Sequence, residues 1–143
     1  MLIQRMSHFC LLLCVTGLLI GCGAKGLETV AARGIVTYKG APIAKIAVVF
    51  TPTDGKGQIA EGITDAKGNF ELQSRVKGDG AMVGSYMVSF KHVPDAVPEM
   101  PGFPGAKPEA SPIPEKYGDA SKSGFTAMVD ASASKNVFKF DLN

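Results

Sequence analysis

Hydrophobic and polar side chains alternate along seven short stretches of this chain, a period of two that is typical of strands with one buried face. The predicted strands cover residues 34–38, 46–51, 59–64, 70–73, 86–91, 125–130 and 138–142. In the last stretch Phe138, Phe140 and Leu142 share one face, and Lys139 lies on the other. We expect the face with the phenylalanines to be buried.

Turn-forming residues separate the predicted strands, at 39–42, 54–57, 65–69 and 77–80. Seven strands at this spacing predict an all-β fold, a single antiparallel β-sandwich. The chain has 143 residues, which suits one domain and is too short for two. We assign the sandwich to residues 31–143.

Prolines concentrate late in the chain, where seven of the nine lie between residues 94 and 114. Proline cannot donate to a strand ladder, so residues 94–116 are predicted to form an extended loop. A loop of this length is either functional or partly disordered, and the sequence leaves both open. Phe103 and Ile113 are the side chains expected to dock on the sandwich.

The N-terminus carries a different pattern, an unbroken apolar run over residues 9–20 that follows Arg5. A membrane-spanning helix needs roughly 20 apolar residues, so this shorter run is typical of a signal peptide. A buried helix is the alternative, but the run has no amphipathic face. We predict a signal peptide over residues 1–21.

The run ends in Leu19-Ile20-Gly21-Cys22, which resembles the lipobox of bacterial lipoproteins. The resemblance implies cleavage between Gly21 and Cys22 and lipid on the Cys22 thiol, with residues 22–30 as lipidated N-terminus and flexible tether. Two or three acyl chains hold a protein on a membrane almost permanently. The second mature residue is Gly23 and not Asp, and the resemblance to sorted lipoproteins then implies the outer membrane rather than the inner one, in an organism that has both. Ordinary secretory cleavage after Gly21 would instead leave a free thiol.

Charge and cysteine content exclude several classes of protein. The net charge is +2 and the lysines are scattered, so no nucleic-acid surface is predicted. Cys10 and Cys14 lie in the signal peptide, so the mature chain keeps only Cys22 and forms no internal disulfide. The domain must be stabilised by packing.

Candidate chemistry is sparse. His92 is the one histidine of the mature chain, so neither a zinc site nor a Ser-His-Asp triad is expected, and we predict no cofactor and no enzyme activity. His92 itself is predicted at the surface end of a strand. Asp65 and Asn69, with Asp54 or Asp79, would offer oxygens to calcium, whereas the alternative is that Asp65 binds backbone N–H groups of its own turn.

Three other features have structural and functional interpretations. Gly78-x-Gly80-x-x-x-Gly84 only approximates a dinucleotide loop and is interpreted as a flexible loop between strands. Tyr86 resembles a tyrosine corner whose hydroxyl binds nearby backbone. Tyr117 is either an exposed aromatic residue for ligand contact or a residue docked on the edge of the sandwich.

Residues 34–44, 47–50 and 62–72 resemble a carboxypeptidase regulatory-like domain, and residues 83–88 are similar to the Gly-x-Tyr strand entry of that family. Residues 113–117 and 123–127 resemble a subset of small bacterial lipoproteins that carry this domain. This resemblance implies a transthyretin-like, prealbumin-like sandwich of the Ig-like type, and it implies a fold without an activity. In enzymes the domain is an accessory beside a catalytic unit.

The expected function is a non-catalytic lipoprotein of the cell envelope, a structural or interaction module that contacts an envelope protein or a polysaccharide. The alternative is a carbohydrate or small-ligand binding module, which would need paired aromatic residues in a concave patch. Phe103 and Tyr117 are the candidates for partner contact.

Overall fold

The fold is known from a computed structural model that describes residues 28–94 and 110–143. The described residues form ten strands: β1 (Thr29–Val30), β2 (Arg33–Tyr38), β3 (Ala41–Pro42), β4 (Ile46–Pro52), β5 (Ala60–Ile63), β6 (Asn69–Glu71), β7 (Ala81–Met82), β8 (Gly84–His92), β9 (Phe125–Val129) and β10 (Val137–Leu142). Two 3₁₀ turns, Glu115–Gly118 and Ala133–Lys135, accompany them. The predicted all-β class is confirmed, and each of the seven predicted stretches contains a strand.

The strands build two main sheets that face each other. The first sheet has the order β5-β4-β8-β9 and is antiparallel throughout. The second sheet is centred on β2, which pairs with β10 along one edge and with β3 and β6 along the other. The β1 and β7 strands form a separate two-stranded ribbon.

One pair departs from the antiparallel expectation, because β10 runs parallel to β2, from Val137 beside Arg33 to Leu142 beside Tyr38. The reason is that β9 and β10 belong to different sheets, so the segment between them crosses the sandwich and forms no hairpin. The Arg33 N–H donates to the Asn136 carbonyl at 3.0 Å, which makes β2 and β10 start at the same end.

The ordered domain begins earlier than expected. Thr29 and Val30, assigned to the tether, pair with Met82 and Ala81 in an antiparallel ribbon. Gly80, just before β7, has a φ of 83°, and a Cβ there would lie 2.0 Å from the Val30 carbonyl oxygen. This close approach needs glycine.

The core fills the space between the two sheets. Ile46, Val48 and Phe50 of β4 point inward and are fully buried, as their alternation predicts. Phe140 of β10 meets Phe90 of the first sheet edge to face, with ring centroids 5.3 Å apart. Such aromatic contacts between facing strands hold the sheets together.

The β5 strand has its small residues inside and its large ones outside. Ile59 and Ile63 are exposed, whereas Ala60 and Gly62 face the core. A Cβ at Gly62 would lie 2.3 Å from the Glu71 carbonyl oxygen, so no larger side chain fits at that position. Close approach of β6 therefore determines which face of β5 is buried.

Candidate interaction surface

Tyr117, one of the two aromatic residues predicted for partner contact, is part of the core. Only 4% of its surface is exposed. Its ring lies 6.4 Å from that of Phe90 and 6.0 Å from that of Phe125. The Tyr117 hydroxyl donates to the Asn143 carbonyl at 2.6 Å and accepts from the Asn143 N–H at 3.0 Å. The prediction of an exposed contact at Tyr117 is wrong, because burial satisfies both its ring and its hydroxyl, and docking on the sandwich is confirmed.

The remaining predicted contact and anchor residues have different outcomes. Ile113 packs into the core, as expected. Phe103 lies outside the described residues, and so do Gly21 and Cys22 with the whole of the predicted signal peptide. The lipid anchor and the contact at Phe103 therefore stay predictions.

Asp65 organises its own turn, which confirms the structural interpretation of this residue. One carboxylate oxygen, Oδ1, accepts from the N–H groups of Lys67 and Asn69, each at 2.8 Å. The hydrogen bond from the Asn69 N–H is the main reason that the pKa of Asp65 lies below its usual value. Within the described ranges, no three His, Cys, Asp or Glu side chains gather to hold a metal ion.

The other singled-out residues also have structural positions. The Tyr86 hydroxyl donates to the Met82 carbonyl at 2.8 Å, which confirms the predicted bond to nearby backbone. Burial raises the pKa of Tyr86. His92 is the last residue of β8 and is half-buried, beside a cleft of about 380 Å³ that Ile113 and Glu115 also line.

Gly78 and Gly80 lie in the loop between β6 and β7. Asp79 between them accepts from the backbone N–H groups of Ser74, Arg75 and Val76. The backbone N–H groups of this loop therefore bind the Asp79 carboxylate, which agrees with its interpretation as a loop between strands.

The two sheets have outer faces of different character. On the second sheet, Arg33 of β2 lies opposite Glu71 of β6. Along β10, Lys139 and Asp141 both point outward, and the residue between them points inward. The Thr37 hydroxyl donates to Asp141 at 2.9 Å. Charged side chains therefore cover this face, as is usual for a face in contact with water.

The outer face of the first sheet is almost uncharged. Its side chains alternate with the buried ones along β5, β4, β8 and β9, and they are Ile59, Glu61, Ile63, Ala47, Val49, Thr51, Ser85, Met87, Ser89, Lys91, Thr126 and Met128. Exposure is 59% at Ile63 and 71% at Met128. Seven of the twelve side chains are exposed and four are half-buried, whereas Ser89 is buried. An exposed apolar surface with few charges is typical of a protein contact site.

Strand register places the two charges of this face together at one end. Val49 lies between Glu61 and Ser89, and Ala47 of the next row lies beside Lys91. The row through Thr51, Met87 and Thr126 carries no charge. We name the twelve side chains of this outer face the contact face.

The aspartates with lowered pKa values lie outside the contact face. Asp54, Asp65, Asp79, Asp119 and Asp130 accept backbone or side-chain hydrogen bonds within turns. Their pKa shifts result from these bonds and do not indicate a reaction centre. The contact face therefore consists of apolar and neutral polar side chains with two charged ones, Glu61 and Lys91.

No protein-family model matches the chain, and no curated protein or solved structure is significantly similar to it. In the part of the chain that the structure describes, no helix has the length and apolar character needed to cross a bilayer.

Proposed function

We propose that this chain is a non-catalytic lipoprotein of the cell envelope, anchored through Cys22 and using its β-sandwich as an interaction module. The contact face is the observation that carries the proposal. It combines exposed Ile59, Ile63 and Met128 with only two charges, whereas the opposite outer face is charged. The centres of protein–protein interfaces have fewer charged residues than the rest of a protein surface, and methionine is enriched there.

The proposed anchor and the ordered domain lie close together in sequence. Six residues separate Cys22 from the start of β1 at Thr29. A short connection of this kind would keep the sandwich near the membrane surface, where envelope proteins and polysaccharides are found. The resemblance to carboxypeptidase regulatory-like domains supports a sandwich without catalytic residues, and we propose that family for residues 31–143.

The alternative, a carbohydrate or small-ligand module, has a weaker basis. Lys91 and Glu115 line the cleft beside His92. Their opposite charges would suit a small polar ligand. Sugar sites use exposed aromatic rings. The large hydrophobic side chains that are exposed in the described residues are Ile, Val and Met. We therefore favour a protein partner.

A photocrosslinking experiment in intact membranes tests the contact face. A photoreactive amino acid replaces Ile63 in one variant and Val137 in the other, since these residues are 59% and 58% exposed on opposite outer faces. We expect a discrete protein adduct from position 63 and none from position 137. A polysaccharide adduct would support the alternative, and equal labelling from both positions would contradict a specific contact face.

The anchor has its own test. We expect Cys22→Ala to lose acyl labelling and to accumulate as uncleaved precursor, because the thioether must form before the lipoprotein peptidase acts. The readouts are incorporation of labelled fatty acid and gel mobility. Normal processing of the variant to a soluble form would show ordinary secretory cleavage.

A further inference from the structure

The two main sheets have four outer edges, and three of them are protected against pairing with another chain. The edges are β5 and β9 of the first sheet, and β10 and the pair β3 and β6 of the second. The β3 and β6 strands are only two and three residues long, and very short strands are one such protection. Backbone hydrogen bonds between Glu61 and Gln73 join β5 to the segment after β6. Lys139 and Asp141 place charges along β10. Both devices are known protections of sheet edges. Among residues 28–94 and 110–143, the β9 strand (125–129) pairs with β8 alone, and it contains no charged residue.

The hydrogen bonds at both ends of β9 show which backbone groups face the free edge. Beyond its C-terminal end, the Asn136 side chain accepts from the Asp130 N–H and donates to the Asp130 carbonyl, both at 2.8 Å. These Asp130 groups point away from β8. At the other end, the Ser123 hydroxyl accepts from the Phe125 N–H and donates to the Val88 carbonyl of β8. The Phe125 N–H therefore points towards β8.

Alternate residues of a strand direct their backbone groups to the same side. Thr126 and Met128 are in phase with Asp130, so their N–H and C=O groups point outward along β9. The described chain places no strand against them. Two donors and two acceptors are therefore available at this edge, and Met128 beside them is 71% exposed.

We propose that a second copy of this chain pairs antiparallel along β9, so that two first sheets form one continuous sheet of eight strands. The direction of the backbone groups defines the register. Thr126 of each copy exchanges hydrogen bonds with Met128 of the other, and the two Ala127 residues lie opposite each other on the two-fold axis. One edge of each copy is used, so the assembly closes as a dimer.

The side chains of β9 and of its flanks suit this register. Ala127 is small, so the central pair brings two strands together without a clash. An ion pair lies before the strand, Asp119 with Lys122, and another lies after it, Asp130 with Lys135, each with an N–O distance of 3.3 Å. Antiparallel pairing places one pair of each kind at each end of the joint. Each end of the joint therefore holds two acidic and two basic side chains, so no excess of one charge opposes the pairing.

This dimer goes beyond the proposed function, and only its enrichment on a membrane rests on the proposed anchor. It would double the contact face, because the outer faces of the two first sheets become continuous across β9. Confinement of both copies to one membrane would raise their effective concentration and favour the pair. A failure of the dimer would leave the crosslink from position 63 unaffected, so the two ideas can be told apart.

Single cysteine substitutions test the register. The full chain is kept in its membrane and is mildly oxidised. The central Ala127 pair is not hydrogen-bonded, and such pairs have Cα atoms about 4.5 Å apart, within the disulfide range. We expect Ala127→Cys to give a reducible dimer on gels. Thr126→Cys and Met128→Cys, tested singly, should give at least about tenfold less dimer, because each faces the other residue across the joint.

The unsubstituted chain is the background for this test, since it retains Cys22. Thr126→Cys combined with Met128→Cys should restore the dimer, because these residues are partners in the proposed register. An Ala127→Cys variant that stays monomeric would overturn the proposal, and so would equal dimer yields from all three single variants.

Removal of one edge donor provides a second, independent measurement. Met128→Pro deletes an N–H that faces the free edge, where proline is tolerated, and Met128→Val keeps that N–H. We expect the dimer dissociation constant of the full chain in detergent to rise at least about tenfold for the proline variant alone. A folded Met128→Pro variant that dimerises normally would contradict the proposal, and the cysteine register decides the question if this variant does not fold.

Discussion

The side chain of Asn136 makes the hydrogen bonds that a neighbouring strand would make to the backbone of Asp130. It is fully buried, and besides its two bonds to Asp130 it donates to the Ala31 carbonyl at 3.4 Å. The backbone carbonyl of Asn136 accepts from the Arg33 N–H. The side chain and backbone of this one residue therefore join the end of β9 to the starts of β2 and β10, at the point where the chain crosses between the sheets.

Removal of this amide should be costly for its neighbours. We expect Asn136→Ala to lower the free energy of unfolding by about 1 to 3 kcal/mol, because the Asp130 backbone groups lose their partners in a partly buried place. Ser134→Ala is the control, since Ser134 is exposed and contacts only the Ser132 hydroxyl. It should stay within about 0.5 kcal/mol. Urea denaturation measures both, and equal effects would show that the amide is dispensable.

The Tyr117 hydroxyl holds the end of the chain against the core. We expect Tyr117→Phe to keep the ring packing and to lower the free energy of unfolding by about 1 kcal/mol, through loss of the bonds to Asn143. Tyr38→Phe is a matched control at a half-buried tyrosine whose ring lies near Lys39. Thermal denaturation compares the two variants. A loss at Tyr38 as large as that at Tyr117 would argue against a specific role of the Asn143 contact.

At the scale of elements, alternation predicted the strands well, because one face of each is buried against the opposite sheet. The parallel direction of β10 was not predictable, since alternation carries no information on the neighbour of a strand. The two-residue β1 was missed because a stretch so short has no period. For β5, the burial of Ala60 and Gly62 depends on the nearness of Glu71, which is a tertiary contact.

The last strand provides a direct test of the two faces. Phe140 is 5% exposed and lies in the aromatic cluster, whereas Lys139 points to solvent. We expect Phe140→Ala to cost roughly 3 to 5 kcal/mol through lost burial and a residual cavity. Lys139→Ala should change the free energy of unfolding by no more than about 0.5 kcal/mol. Chemical denaturation compares them, and small, equal effects would mean that β10 frays from the sandwich.

For the whole molecule, the sequence predicts an anchor and a domain but does not reveal the contact face. The motif around Cys22 is local and needs no structure to be recognised. The contact face depends on strand order, because Val49 becomes part of it only when β5 and β8 lie on either side of β4. The sequence does show that Ile59, Glu61 and Ile63 share one face of the strand. Alternation alone could not say whether that face points to water or to the core.

The aspartates of the turns predict that the stability of the domain falls in acid. Asp54, Asp65, Asp79, Asp119 and Asp130 all have pKa values below the usual 3.8. A carboxyl whose pKa is lower in the folded state than in the unfolded state stabilises the fold above the unfolded value, and that stability is lost as the pH falls through the folded value. We therefore expect stability to hold above about pH 4 and to decline towards pH 2.

Asp119 isolates one contribution to this decline. Hydrogen bonds from the side chain and then the backbone N–H of Ser121 lower the pKa of Asp119 to about 2. We expect Asp119→Asn to flatten the fall in stability between pH 4 and pH 2, because the titrating group is gone. Ser121→Ala should raise the pKa of Asp119 and flatten the fall less, since the backbone donor stays. Ser134→Ala is the control that leaves the slope unchanged. Urea midpoints measured from pH 2 to pH 7 provide the comparison, and an unaltered slope in the Asp119→Asn variant would contradict the assignment of acid sensitivity to this turn.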